Sequence, residues 1–174
     1  SVGSFTDSLA RALVWGAAWD MTRDAEMGTG DYLDLVLAGL PHEGDVGVVQ
    51  QLIRQLRTAI ELYASDENRD RYQLTLAAEL RRLMEDAPAG SDHQLAFARG
   101  YIATATDPAD LRRVDSLYSG ESQLAGLVVD DELRWSMLQR LVIMDQVGDD
   151  AIDAELARDN TATGIRHAQL VRAA

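Results

Sequence analysis

Apolar positions recur along almost the whole chain at the three-to-four-residue spacing of amphipathic helices, broken by short polar stretches. The clearest stripe is Val49, Leu52, Ile53, Leu56, Ile60 and Tyr63, which share one helical face. A second runs through Tyr72, Leu76, Leu80, Leu83 and Met84, with Ser65 placed to cap its helix. Nearer the start, Leu9, Leu13, Gly16 and Asp20 fall along one line of a helix, and Ala12, Trp15 and Trp19 along its neighbour. So wide an apolar band predicts a first helix packed on more than one side. Gly28-Thr29-Gly30 ends it, Thr29 is placed to cap a helix over Asp31 to Leu40, and Pro41 stops that helix.

Ala87-Pro88-Ala89-Gly90 carries the strongest loop signal. Ser91 and Gln94 stand three apart as in a capping box, opening a helix with Leu95, Ala98, Tyr101, Ile102 and Ala105. Asp107-Pro108 pairs an N-cap residue with the residue best suited to the first helical position. Asp130 is placed to cap a helix bearing Leu133, Met137, Leu138, Leu141 and Val142. Gly148-Asp149 separates it from a short helix around Ile152 and Leu156, and a last helix starts near Thr161 or Thr163. Leu124 to Val129 is the one short β-like stretch. The predicted fold is all-α over residues 1–174, read as a single helical segment. Its antiparallel hairpins recur at roughly 40 residues, near the period of HEAT and armadillo repeats, and stack into a right-handed superhelix. Self-similarity in residues is weak, and a compact irregular bundle is the rival architecture.

Composition narrows the functional classes. The chain of 174 residues is long enough to bury a core, with 47% hydrophobic and 26% charged residues. There is no cysteine, which removes disulfides, thiolate metal sites and cysteine nucleophiles. Sixteen basic against 29 acidic residues leave a net charge of −13, which argues against nucleic-acid and anionic-membrane partners. Every Lys-or-Arg position is Arg, a bias that a GC-rich genome accounts for without a special role. No apolar run reaches the ~20 residues that span a bilayer, and no signal-peptide pattern is present; the expected location is cytoplasmic. Ser1-Val2-Gly3-Ser4 lacks an initiator Met, so the expectation is a chain that begins inside a longer protein or after a tag.

A search for chemistry returns no catalytic, cofactor or metal residues. His42-Glu43 invites comparison with a His-Glu-x-x-His zinc helix, but Val46 stands where the second His belongs. His42, His93 and His167 are far apart and read as surface or capping residues. Asp66-Glu67, Asp130-Asp131-Glu132 and Asp149-Asp150 all fall where helices begin, where acidic side chains complement the helix dipole. No serine sits in a Gly-x-Ser-x-Gly elbow, and no Gly-rich phosphate loop follows a strand. Trp15, Trp19 and Trp135 could stack on a ligand, although their helical spacing among alanines and leucines fits a core better. Arg134 stands out among polar residues: a buried ion pair is favoured over substrate contact.

Two segments carry a family resemblance. Arg11 to Met21, with Trp15 and Trp19, and Leu133-Arg134-Trp135 behind Asp130-Asp131-Glu132 resemble the C-terminal helical domain of the aminopeptidase N family of zinc peptidases. The resemblance is to the endoplasmic-reticulum-aminopeptidase-like C-terminal domain, which is longer in the family, and it implies that residues 1–174 are a fragment of a longer C-terminal domain. Asp31-Tyr32, Leu40, Glu43, Val49 and Tyr63 fall in the same pattern, as do Leu117-Tyr118-Ser119-Gly120 and Asp159, Thr161 and Gly164. The acidic, all-arginine character resembles actinobacterial members most. The resemblance implies a multidomain enzyme that removes N-terminal residues from peptides, its zinc held by two His and a Glu in another domain. Neither His-Glu-x-x-His nor the Gly-x-Met-Glu-Asn loop for the substrate amino terminus occurs here, so no functional residue carries over.

The expected role is therefore a non-catalytic lid that encloses the active-site chamber and limits or contacts the peptide substrate. The catalytic domain of the same polypeptide would be its partner. Taken alone, the segment should be inactive, contain no cofactor, expose apolar end faces and self-associate. A stand-alone helical-repeat module that binds proteins is the alternative, and an independent hydrolase a distant third.

Overall fold

The computed structural model describes residues 8–174, and every regular element among them is a helix. These are α1 (Ser8–Arg23), α2 (Thr29–Gly39), α3 (Val46–Leu62), α4 (Asp66–Asp86), α5 (Asp92–Thr104), α6 (Pro108–Ser119), α7 (Asp131–Ile143), α8 (Asp149–Arg158) and α9 (Ala162–Arg172). A 3₁₀ turn at Leu40–His42 contains Pro41 and carries the chain out of α2. The all-α expectation holds. Ser1 to Ser4 and the side chain of Leu9 lie outside the described residues.

Most boundaries follow from local chemistry. The Asp107 carboxylate accepts the Ala109 N–H with Pro108 at the first position of α6. Asp130 accepts the Leu133 N–H at the start of α7, and the Ser91 hydroxyl accepts the Gln94 N–H at the start of α5. Two predicted starts differ in detail. Helix α2 begins at Thr29 itself, because the Gly28 carbonyl already accepts the Tyr32 N–H at 3.0 Å. Ser65 does occupy the N-cap of α4, but its hydroxyl accepts from the Asn68 side-chain amide rather than from backbone.

Leu124 to Val129 forms no strand. Leu127 N–H closes a turn on the Leu124 carbonyl, and Gly126 adopts φ +80°. A side chain there would stand 2.1 Å from the Gly90 amide nitrogen, so glycine serves both the left-handed backbone and the close approach of two loops.

The described residues fall into two compact units. One runs through Ala87 and includes Ser91–Thr104; the other comprises Pro88–Gly90 and Ala105–Ala174. In the first, the α3 stripe is the centre: Val49, Leu52, Leu56 and Ala59 are buried, and Tyr63, half exposed beyond the last turn, drops out of it. Leu76, Leu80 and Met84 of α4 and Phe97, Tyr101 and Ile102 of α5 complete the core. Each such side chain contributes about 1.5–3 kcal/mol of transfer free energy. On α1 the structure corrects the sequence reading. Trp15, Ala18 and Thr22 are buried, but Leu13 is 67% exposed and Ala12, Gly16 and Ala17 face solvent, so one side is packed rather than two.

In the second unit, Trp135 and Leu138 of α7 pack on Ile152 of α8 and on Ala168 and Val171 of α9. Leu111, Val114 and Leu117 of α6 are also buried. The α1–α2 and α7–α8 hairpins coincide at a shift of 120 residues. Both first helices end, and both second helices begin, at equivalent positions. Glu26 N–H bonds the Met21 carbonyl at 2.7 Å and Gln146 N–H the Leu141 carbonyl at 2.8 Å, the closing bonds of one motif. Between them Ala25 and Asp145 take the left-handed backbone, with φ of 61° and 54°.

Candidate functional site

Each unit buries one glutamate against arginine, and these are its most organised polar features. In the first unit Glu43 follows the 3₁₀ turn, its side chain 4% exposed. Its Oε2 accepts the Trp15 indole N–H at 3.1 Å and the Arg11 Nε–H at 3.3 Å, and its Oε1 accepts the Asp45 amide at 3.2 Å. His93 Nε2–H donates to the Glu43 backbone carbonyl at 2.9 Å, tying α5 to the same point. Burial alone would raise the Glu43 carboxyl; the bonds from Trp15, Asp45 and Arg11 outweigh it and hold the group below its ordinary range.

In the second unit Glu155 of α8 is the hub, its side chain 2% exposed. Arg134 engages both oxygens, Nε to Oε1 at 2.9 Å and Nη2 to Oε2 at 2.7 Å, in the planar fork that only arginine provides. Its Nη1 donates to the Tyr118 carbonyl, its guanidinium lies 4.5 Å from the centre of the Tyr118 ring, and the Tyr118 hydroxyl donates to Glu155 Oε2 at 3.0 Å. Arg158 adds two bonds to Oε1 and reaches Asp131. Burial opposes ionisation of Glu155, yet the bonds from Arg134, Arg158 and Tyr118 bring its pKa down to about 2. Burial and the neighbouring carboxylate push the Tyr118 hydroxyl up to about 12.

Beside this hub, Trp135 donates its indole N–H to Asp159 Oδ2 at 2.8 Å, and Thr161 donates to Oδ1 while capping α9 through the Gly164 amide. The indole and hydroxyl donors hold Asp159 below the usual aspartate range. His167 stacks on the Trp135 ring at 5.8 Å and its Nε2 lies 3.1 Å from Glu132 Oε1.

The chemistry available to these hubs is holding, not turnover. A carboxylate at about pKa 2 is too weak a base for proton transfer near neutrality, and every lone pair it presents is already engaged with a donor. An open groove of about 620 Å³ adjoins the second hub, lined by the 120–129 segment, Leu117, Tyr118 and Arg134. Among the described residues no group of three His, Cys, Asp or Glu side chains is placed to hold a metal ion, so the donor set does not fit zinc. Nor is any described helix long and apolar enough to cross a membrane.

The residues singled out from sequence divide between the units. Trp15 is buried on Glu43, while Trp19 is half-buried with its ring 5.8 Å from Tyr32 and 6.3 Å from Tyr63. Arg134 and Trp135 are adjacent on α7 but serve different carboxylates. Sequence reasoning missed Glu155 as the hub. Its signal was a charged residue inside the apolar face formed by Ile152 and Leu156.

Residues 2–174 match the family described as ERAP1-like C-terminal domain. The chain is also 50% identical over 177 residues to an aminopeptidase N of Streptomyces lividans. That alignment takes in 99% of this chain and 20% of the relative, so the chain spans about one fifth of the length of the protein it matches.

Proposed function

The chain belongs to the ERAP1-like C-terminal domain family, and from that premise we propose that it is the non-catalytic C-terminal domain of a zinc aminopeptidase that removes N-terminal residues from peptides. The observation that carries the reading is the near-complete match of this chain to a fifth of an aminopeptidase N. In this reading the zinc and its ligands belong to another part of the polypeptide. The helical hairpins serve as a lid that encloses the active-site chamber and limits or contacts the peptide, and the catalytic domain of the same cytoplasmic polypeptide is the partner. The buried hubs support that role physically: lids act by excluding water and fixing geometry, and bidentate ion pairs between helices stiffen a wall without adding reactivity.

The native reading frame upstream of Ser1 gives the first test. A His-Glu-x-x-His helix with a further Glu ligand is expected there, and a frame without one overturns the proposal. Turnover of an aminoacyl-nitroanilide is expected from the longer polypeptide and not from residues 1–174 alone. Deleting this segment should change the preference for peptide length more than hydrolysis of the small substrate.

A further inference from the structure

The strongest feature that neither hub absorbs is a groove between α3 and α5 in the first unit. It has a volume of about 230 Å³ and is lined by Gln50, Ile53, Arg54, Arg57, Ala96, Arg99 and Gly100. Its floor is apolar and tightly packed: Ile53 and Ala96 are buried, and a Cβ on Gly100 would stand 3.1 Å from Ile53 and 3.2 Å from Leu80. Three exposed arginines lie in its lining, and no carboxylate does.

That is unusual for this chain. Most of its arginines are neutralised by a carboxylate or satisfied by another acceptor, Arg11, Arg23, Arg69, Arg82, Arg134, Arg158 and Arg172 through described ion pairs. Arg54, Arg57 and Arg99, together with Arg112, have no hydrogen bond or ion pair among the described residues. Three of these arginines line one concavity in a protein of net charge −13.

We propose that this groove binds the acidic side chains of a free peptide in extended form. Screening confines the repulsion of distant carboxylates to roughly 8 Å in physiological salt; Glu61, one turn beyond Arg57, is the one acidic residue on α3, and the three arginines that line the groove outnumber it. The groove's apolar floor keeps the local dielectric low and strengthens their field. The volume is smaller than the roughly 300 Å³ at which drug-sized pockets start and suits side-chain tips rather than a whole small molecule. Arg54 and Arg57, three apart on α3, have Cβ atoms about 5–6 Å apart. Alternate side chains of an extended peptide repeat at about 7 Å, so two acidic side chains can meet two guanidiniums while Arg99 reaches them from the opposite wall. A second copy of this chain is the weaker occupant, because two bodies of charge −13 repel each other. The inference stands apart from the aminopeptidase reading and does not depend on it.

The test titrates a fluorescein-labelled peptide, Gly-Glu-Ser-Glu-Ser-Glu-Gly with an amidated C-terminus, into the chain and follows anisotropy at low and high salt. Amidation leaves the side chains as the peptide's carboxylates. Saturable binding that weakens with salt is expected. Single changes Arg54→Gln, Arg57→Gln and Arg99→Gln should each weaken it about threefold. The triple variant should weaken it at least about tenfold. Arg112→Gln should leave it unchanged. All three groove arginines are exposed, and far-UV dichroism with a urea titration checks that the variants fold. The proposal falls if the Gln-substituted peptide binds as well, or if the triple variant keeps wild-type affinity. It falls equally if inorganic phosphate at matched charge displaces the peptide, which marks a general anion site. Binding to residues 1–174 but not to the longer polypeptide would make the groove an intramolecular seam and also overturn it.

Discussion

Trp15 and Trp135 occupy equivalent places in two hairpins of similar build, and each donates its indole N–H to a carboxylate, but the acceptors come from different places. In the α7–α8 hairpin the acceptor is Asp159, just past the end of α8. The equivalent residue in the α1–α2 hairpin is Gly39, against which the Trp15 ring lies flush, and the acceptor is Glu43, beyond the 3₁₀ turn. One hairpin thus spends that position on hydrogen bonding and the other on close packing. The comparison teaches that a buried indole imposes the requirement for an acceptor, while the chain is free in how it supplies one. It also separates two kinds of hub: Glu155 has two arginines and a tyrosine, while Glu43 has Arg11 and a backbone amide alongside its indole.

The largest break in the comparison is loss of the indole itself. Trp135→Ala should destabilise its unit by about 4 kcal/mol, since the ring is 1% exposed among Leu138, Ile152, Ala168 and Val171. Trp15→Ala should cost its unit a similar amount. Two compact units make a single two-state fit unsafe, so urea titrations should follow far-UV dichroism, which reports both units, beside Trp15 and Trp19 fluorescence in the Trp135 variant and Trp135 fluorescence in a chain lacking the other two, which each report the unaltered unit. Equal loss in both units from either change would erase the independence on which the comparison rests.

Next in size is the charge at the second hub. Arg134→Met leaves Glu155 buried with Arg158 and Tyr118 and should cost about 3 kcal/mol, whereas Arg158→Met, at an arginine 42% exposed, should cost about 1 kcal/mol or less. The pH dependence follows from the depressed Glu155 value. A carboxyl whose folded pKa lies below its unfolded one contributes stability in full above the unfolded value, near 4.5. It loses that contribution as pH falls toward about 2. Urea midpoints of the wild-type chain should therefore drop across that window, and in Glu155→Gln the drop should be shallower. An unchanged slope would mean that the hub does not hold the carboxylate as described.

Gly39→Ala probes the packing solution. The added Cβ would stand 2.3 Å from the Trp15 ring, and the expected cost is about 2 kcal/mol of overpacking, read as a lower urea midpoint together with altered Trp15 fluorescence. A neutral outcome would show that the ring has room to slide and that Gly39 is not what seats it.

How much of this was readable beforehand depends on the physical range of each signal. Helix starts at Asp107-Pro108 and Asp130 were legible because caps act within three residues. The α3 stripe was legible because burial repeats with the helical period. By contrast, Leu124 to Val129 reads as β-like from its side chains, yet its fate is set by Gly126 meeting Gly90 across 36 positions, which local pattern does not encode. Arg134 announced a need for a carboxylate without saying which; Glu155 lies 21 residues on, and only the packing of α7 against α8 selects it. The outward face of α1 was misjudged because Leu13 and Trp15 look alike to a periodicity count.

The finest test of the comparison lies in the two helix-ending turns, where the backbone is the same and the residues are not. Ala25 holds φ 61° and Asp145 holds φ 54°, a region that costs an ordinary L-residue about 1–2 kcal/mol and that aspartate tolerates better than alanine. Replacing either by glycine removes that strain but adds freedom to the unfolded chain, worth about 0.4–1 kcal/mol in the other direction. Ala25→Gly should therefore stabilise its unit by about 0.5–1 kcal/mol, while Asp145→Gly should come out near zero. Both changes leave the Glu26-to-Met21 and Gln146-to-Leu141 bonds in place, so the contrast isolates the side chain. Equal gains at both sites would mean that aspartate gains nothing from its carboxylate there. Equal losses would mean that glycine loosens the unfolded chain more than the turn is strained, and that alanine sits in the left-handed turn at little cost.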